Sequence, residues 1–276
     1  MKFGISTFVN DDTIDTVTLA RAIEERGFEA LAVAEHTHIP ASRESAYPLG
    51  GELPRIYYRT LDPFVTLAAA AAVTSKIELI TGIALLIQRD PIITAKEAAS
   101  IDLISGGRFT FGVGAGWNIE ELRHHGTDPK TRGALLDERI EAVKALWTTE
   151  PAEYHGTYVD FDASYLRPKP VQSPHPPILI GGDSDATVKR VIRHGAGWIS
   201  NPLPVDRLTR RVEQLRAGAD HDVPLSTFGV PIDPDYWRAL QDLGFGQANL
   251  LLPTKSRDDS LRLLDDYAAR VAQFRG

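Results

Sequence analysis

Short apolar runs alternate along this chain with longer stretches in which apolar residues recur every three to four positions. The runs fall at residues 2–8, 30–34, 78–86, 109–114, 177–180, 197–200, 225–230 and 248–252, all short enough to be strands. Helical patterns occupy 13–26, 62–74, 92–104, 132–147, 185–194, 206–217, 234–243 and 257–274. The punctuation agrees. Asp11 or Asp12 stands where the first helix needs an N-cap, and Asp62-Pro63 and Asp90-Pro91 each offer a cap followed by proline at the first helical position. Gly27, Gly195 and Gly244 fall where helices should stop. Continuous runs such as Ile178-Leu179-Ile180 suit parallel strands covered on both faces. Strict β-then-α alternation admits a closed barrel or an open doubly wound sheet. Eight units without a composition shift favour an α/β fold of the (β/α)₈ TIM-barrel kind, one domain over residues 1–276.

Two connections, 35–61 and 148–176, are too long for ordinary turns. The first follows the C-terminal end of a strand, where barrels carry their active sites, and holds Tyr47, Tyr57 and Tyr58. It reads either as a plain surface loop or as a lid inserted at the C-terminal face.

Composition narrows the chemistry. With 43% hydrophobic residues the chain can build a large core, which excludes disorder. The absence of cysteine removes disulfides, thiol catalysis, Cys-bound zinc and iron–sulfur clusters, so any redox chemistry needs a borrowed cofactor. A net charge of −7 argues against nucleic acid or an anionic membrane as partner. The first residues enter a strand pattern directly, and no apolar run reaches the roughly 20 residues of a membrane span, so a cytoplasmic protein is expected.

Glu35-His36-Thr37-His38 closes the second strand run. His36 suits proton transfer as an imidazole, with Glu35 orienting it or a ligand; the plainer reading is a structural histidine. His36 and His38 have a metal-like H-x-H spacing. Strand ends such as Ser200-Asn201 add no ligand, and adjacent His124 and His125 should diverge, so no metal site is expected. Gly82 inside the third run marks a bulge or a flat approach to the backbone. Gly112, Gly114 and Gly116 alternate at the end of the fourth and leave room for a planar ligand bordered by Trp117. Gly181-Gly182-Asp183-Ser184 opens into a helix, a phosphate turn by electrostatics or a plain turn capped by Asp183 or Ser184. Asp102 and Arg108 bracket a tight turn and read as a structural ion pair.

The segments AEHTH, ELITGIALLIQRDPIITAKEAASIDLISGGRFTFGVGAGWN and RPKPVQSPHPPILIGG resemble the bacterial luciferase-like family of flavin- and deazaflavin-dependent barrels. Within it they are most similar to the branch that depends on coenzyme F420, a 5-deazaflavin hydride carrier. The resemblance implies a catalytic His36 beside the reactive ring, paired with Glu35. It implies a third-strand bulge, often a non-prolyl cis peptide, at Thr81, Gly82 and Ile83, and a cofactor floor at Gly114, Ala115 and Gly116. Gly181, Gly182, Asp183 and Ser184 match the phosphate turn. Deazaflavin sugar-phosphate dehydrogenases of the family carry a Glu after the glycine run; here Trp117 stands there, so a substrate packing on Trp117, Tyr47 and Tyr57 is expected. Glu120 and Glu121, a turn later, are not expected to replace it.

The function implied is an oxidoreductase moving hydride between F420 and a small organic substrate. Alternatives are a monooxygenase using reduced FMN and O₂, a non-catalytic flavin- or deazaflavin-binding barrel, and a metal hydrolase at His36 and His38. An acidic F420 tail would call on Arg43, Arg55, Arg59, Lys130 and Arg132. The Ala-rich stretches PFVTLAAAAAVT and PIITAKEAASIDLI match the helices through which the family forms homodimers.

Overall fold

The computed structural model describes residues 1–48 and 50–276; residue 49, within the 35–61 connection, lies outside the described residues. Eight parallel strands close a barrel: β1 (Lys2–Thr7), β2 (Ala30–Val33), β3 (Glu78–Thr81), β4 (Phe109–Val113), β7 (Ile178–Gly181), β8 (Gly197–Ser200), β9 (Leu225–Thr227) and β10 (Gln247–Leu251). The order around it is β1-β10-β9-β8-β7-β4-β3-β2, so chain neighbours pair and the last strand closes on the first. The eight apolar runs are these eight strands.

The outer layer comprises α1 (Thr16–Glu25), α2 (Pro63–Ala71), α3 (Pro91–Ser105), α5 (Arg132–Thr148), α6 (Asp185–His194), α7 (Val205–Gly218), α8 (Pro234–Asp242) and α9 (Arg257–Arg275). Asp62 and Asp90 cap α2 and α3 as expected, each accepting from two backbone N–H groups ahead of it. The first helix differs. Asp15 caps it, while Asp11 and Asp12 pair with Arg55 and Arg59 of the long connection.

Two apolar clusters separate at the barrel wall. Ala30, Ala32, Ile80, Leu179 and Ile199 fill the interior, with Ile83 and Phe228 against them; the larger cluster lies between barrel and helices. At the opposite end from the mouth, Asp102 and Arg108 are scaffold but not an ion pair. Asp102 accepts from Val171 N, Gln172 N and Gln172 Nε2, and Arg108 donates to the Ala71, Thr74, Ile77 and Ser105 carbonyls.

Two elements interrupt the alternation. A short helix, α4 (Ile119–His124), follows β4, and an antiparallel hairpin of β5 (Ala152–His155) and β6 (Asp160–Ser164) lies within the 148–176 connection. No helix among the described residues is long and apolar enough to cross a membrane.

Candidate active site

His36 stands just past β2, at the C-terminal mouth, and only 8% of it is exposed. Its Nδ1 lies 2.9 Å from Glu121 Oε2, and Glu121 is 1% exposed. Asn118 caps α4 by accepting from Glu121 N, which starts the helix with Glu121 aimed back at β2. The spacing Asn118-x-x-Glu121 is that of a capping box, a signal legible in the chain; the glutamate reaches the histidine rather than the cap N–H. Glu121 thus joins His36 at the candidate site, a contact that the sequence reading does not single out.

Aromatic rings cover this pair. The Tyr57 ring is 5.1 Å from His36 and that of Trp117 5.9 Å, centroid to centroid. Tyr47 packs on both, with its hydroxyl 3.3 Å from that of Tyr57. Burial, then the Tyr47 hydroxyl, push the Tyr57 phenol above its ordinary value. Phe8 and Phe228, each just beyond a strand end, continue the ring wall under Tyr57. Neither stands out in the sequence, although a strand's C-terminal end is the available signal.

The 35–61 connection is fastened on two sides. On one, Arg59 makes ion pairs to Asp11 and Asp12 and Arg55 to Asp12, with Thr60 bridged to Asn10. On the other, Glu120 accepts from Glu44 N at 2.6 Å, from Ser45 N at 2.9 Å and from the Ser45 hydroxyl. Burial opposes ionisation of Glu120, but these hydrogen bonds outweigh it and hold the carboxyl at about 2.

Glu35 is placed differently from the expectation that it orients His36. Its Oε2 accepts from Leu85 N at 2.6 Å and its Oε1 from Arg89 Nε at 2.6 Å. Burial raises its pKa against the opposing pull of Arg89. Both oxygens thus hold the segment after β3. That segment leaves the strand at a cis Gly82-Ile83 peptide and enters a 3₁₀ turn over Leu86–Gln88, so the third strand is shorter than 78–86. Thr81 Oγ1 donates to the Gly112 carbonyl at 2.7 Å.

The glycines serve this bulge. A Cβ on Gly112 would sit 1.9 Å from the Thr81 carbonyl oxygen, and one on Gly114 would sit 2.4 Å from Ile83 Cδ1. Gly181 likewise faces Ile83, 2.9 Å from where its Cβ would be. Above Gly112 and Gly114 the space is taken by the protein itself, a correction to the open slot expected from the alternating glycines. Ile83 becomes the platform. Ala115 is half-buried, and Gly116 turns the chain towards Trp117 with φ +65°.

At the phosphate-like turn, Ser184 caps α6 by accepting from Thr187 N at 3.1 Å. Gly182 has φ +124°, and its carbonyl accepts from Trp198 Nε1 at 2.8 Å. Asp183 is held by Arg211 at 2.8 Å and by Arg207, so its charge is matched from α7. Contrary to the expected divergence, His124 and His125 both meet His38, with ring centroids 5.1 and 5.3 Å away. No group of three ligating side chains among the described residues could hold a metal ion.

A closed β/α barrel with a covered acid–base pair at the strand C-terminal ends defines a site of the barrel-enzyme type. The chain belongs to the luciferase-like monooxygenase family, which matches residues 1–233. An uncharacterised protein of Mycobacterium tuberculosis is 40% identical over 280 residues, covering 99% of each chain. The FMNH(2)-dependent dimethylsulfone monooxygenase of Pseudomonas putida is 34% identical over 154 residues, 55% of this chain and 42% of that one. The coenzyme F420-dependent tetrahydromethanopterin reductase of Methanopyrus kandleri shares the fold, with a TM-score of 0.76, 18% identity and 99% of each chain covered.

Proposed function

We propose that the protein is an oxidoreductase that transfers hydride between coenzyme F420 and a small organic substrate, with His36 donating or accepting the accompanying proton. The observation that carries this reading is the His36–Glu121 pair, buried under Tyr47, Tyr57 and Trp117 beside the Gly82-Ile83 bulge. A covered acid–base pair can move a proton with little exposure to water, which suits hydride chemistry.

The residues fit a tricyclic ring that carries a phosphate. Ile83 offers an aliphatic platform over Gly114 and Gly181, and the Gly182–Ser184 turn opens α6 at its positively polarised end. Ala115 and Gly116 would border the ring, and Thr81 holds the bulge from behind. When bound, a deazaflavin supplies two-electron hydride chemistry; the chain binds, orients and excludes water. Trp117, Tyr47 and Tyr57 would pack on the substrate. Of the cations considered for an acidic tail, Arg55 and Arg59 are committed to Asp11 and Asp12. Arg43, Lys130 and Arg132 have no ion-pair partner among the described residues and would receive it.

The reading with reduced FMN and O₂ is favoured by the Pseudomonas relative named above and by a phosphate turn that would serve FMN without any tail groove. Fluorescence titration with F420 and with FMN separates them. F420 is expected to bind below about 100 μM and more tightly than FMN. Tighter FMN binding transfers the proposal to the monooxygenase, and failure of both defeats the two together. We further propose a homodimer formed through α2 and α3, where Val65, Ile92, Ile93, Leu103 and Ile104 are exposed.

A further inference from the structure

A cleft of about 240 Å³ opens at the barrel mouth, outside the ring wall around His36. Three loops meet there. The one after β1 supplies Asn10 and Asp12, and the one after β10 supplies Lys255. The long connection supplies Arg55 and Ile56, from its 3₁₀ turn over Arg55–Tyr58, and then Arg59. Neither the His36–Glu121 pair nor the phosphate-like turn lines it.

The cleft holds more donors than acceptors. Asp12 is the one carboxylate among the described residues that line it, and both of its oxygens are engaged. Oδ1 accepts from Arg59 Nη2 at 2.6 Å and Oδ2 from Arg55 Nη2 at 2.9 Å. Arg55 spends only that one nitrogen on an ion pair, and Lys255 makes none among the described residues. Asn10 is 5% exposed. Its Oδ1 accepts from Asp12 N at 2.9 Å, while its Nδ2 makes no hydrogen bond among the described residues. A buried amide at the wall of a polar cleft finds the acceptor for its N–H groups in what enters the cleft. The charges agree. Arg55, Arg59 and Lys255 stand against Asp12 and against Asp11, the other partner of Arg59, which leaves one positive charge in a chain of net −7. Asp258 and Asp259, at the start of α9, do not line the cleft. A monoanion with two acceptor oxygens matches this set, and Ile56 offers its stem an apolar contact.

We propose that the cleft binds the carboxylate of an organic acid, and that this acid is the substrate. The carboxylate site stands on the cleft alone; its assignment to the substrate rests on the oxidoreductase reading. Position favours the substrate over an acidic cofactor tail. β1 and β7 are opposite each other in the barrel, so the cleft lies across the mouth from the Gly182–Ser184 turn, where a cofactor phosphate would sit. His36 follows β2, the neighbour of β1, and Tyr57, next to Ile56 in the turn, packs on its ring. An acid anchored in the cleft keeps the rest of a small molecule on the His36 side of the mouth, against the Tyr57 ring.

The test begins with protein free of cofactor. Butyrate is titrated at constant ionic strength and followed by ligand-observed NMR, with butyramide as its neutral isostere. Butyrate is expected to bind in the millimolar range and butyramide about tenfold more weakly. Lys255→Gln and Asn10→Asp, which keeps the Oδ1 acceptor, are each expected to weaken butyrate about tenfold. Lys76→Gln removes the same charge from a remote loop and is expected to leave it unchanged. Equal affinity for butyrate and butyramide overturns the site, as does unchanged butyrate binding in both cleft variants with intact thermal transitions. Titration of Lys255→Gln with F420 tests the source of the acid. Unchanged F420 affinity supports a substrate acid; a loss that matches the loss of butyrate gives the cleft to the cofactor tail and overturns that assignment. Failure of the wild type to bind either F420 or FMN defeats the functional proposal and leaves the carboxylate result standing.

Discussion

A buried histidine can offer either ring nitrogen to a ligand, and its partner decides which. At His36 the partner is Glu121, which occupies Nδ1 and leaves Nε2 for chemistry. Glu121→Gln keeps the shape and removes the carboxylate that orients the ring. Turnover is therefore expected to fall about tenfold to hundredfold with KM and cofactor affinity little changed. Steady-state kinetics beside a cofactor titration read the split. Glu120, one position earlier, fastens the 35–61 connection instead, where its carboxylate gathers Glu44 and Ser45. Its pKa is depressed from 4.5 to about 2, so ionised Glu120 favours the folded form. A depressed acid contributes stability that is complete above its unfolded pKa and is lost as pH falls through the folded one. The stability difference between the wild type and Glu120→Gln should therefore be constant above pH 4.5 and shrink between 4.5 and about 2, as measured by urea unfolding across that range. A difference that grows on acidification contradicts the clamp.

Asp62 and Asp90 cap neighbouring helices in the same way, yet they are not equivalent elements of the fold. Asp90 accepts only from the first turn of α3, whereas Asp62 also pairs with Arg89, which in turn holds Glu35 and Glu97. Asp90→Ala is expected to cost about 1 kcal/mol, the ordinary loss of a cap. Asp62→Ala should cost more, because it strips one partner from a largely buried guanidinium beside a buried carboxylate; chemical denaturation of the two variants ranks them. The same elements explain what is legible in the chain. Barrel strands are buried on both faces and announce themselves as apolar runs, and Asp-Pro caps and helix-ending glycines mark the helices. The hairpin Ala152–His155 with Asp160–Ser164 is mostly exposed and mixed in polarity, so neither periodicity shows. The third apolar run extends as far as Leu86 because Ile83, Ala84, Leu85 and Leu86 are all apolar. What bends the chain away is Glu35 taking the Leu85 N–H, a contact between residues 50 apart that composition does not carry. The histidine cluster is hidden for a related reason. His124 and His125 would diverge on a continuing helix, but α4 stops at His124, and the chain leaving it brings both rings to His38.

At the scale of the molecule, lid, barrel mouth and helix layer place their exposed apolar side chains unevenly. On α2, Val65 is 71% exposed; on α3, Ile93 is 60% and Ile104 55% exposed. Both helices begin after strand ends at the mouth, and both bury alanines: Ala70 and Ala71 on α2, Ala95, Ala98 and Ala99 on α3. In the proposed homodimer, the exposed aliphatic side chains of these two adjacent helices would be covered by the same face of a second copy, with two-fold symmetry. The wild type is expected to sediment as a dimer at micromolar concentration. Ile93→Glu would put a charge at that face, lie twice if the axis is two-fold, and leave the barrel core untouched, since Ile93 points away from it. The variant should shift to monomer by analytical ultracentrifugation while keeping its far-UV spectrum. A wild type that is monomeric, or an Ile93→Glu dimer of unchanged affinity, removes α2 and α3 as the interface. Because α2 is capped by Asp62, the residue that steadies Arg89 and through it Glu35, a monomeric variant is also expected to bind cofactor more weakly. Titrating Ile93→Glu with F420 beside the wild type checks that coupling: equal affinities would show that the barrel mouth is organised within one chain.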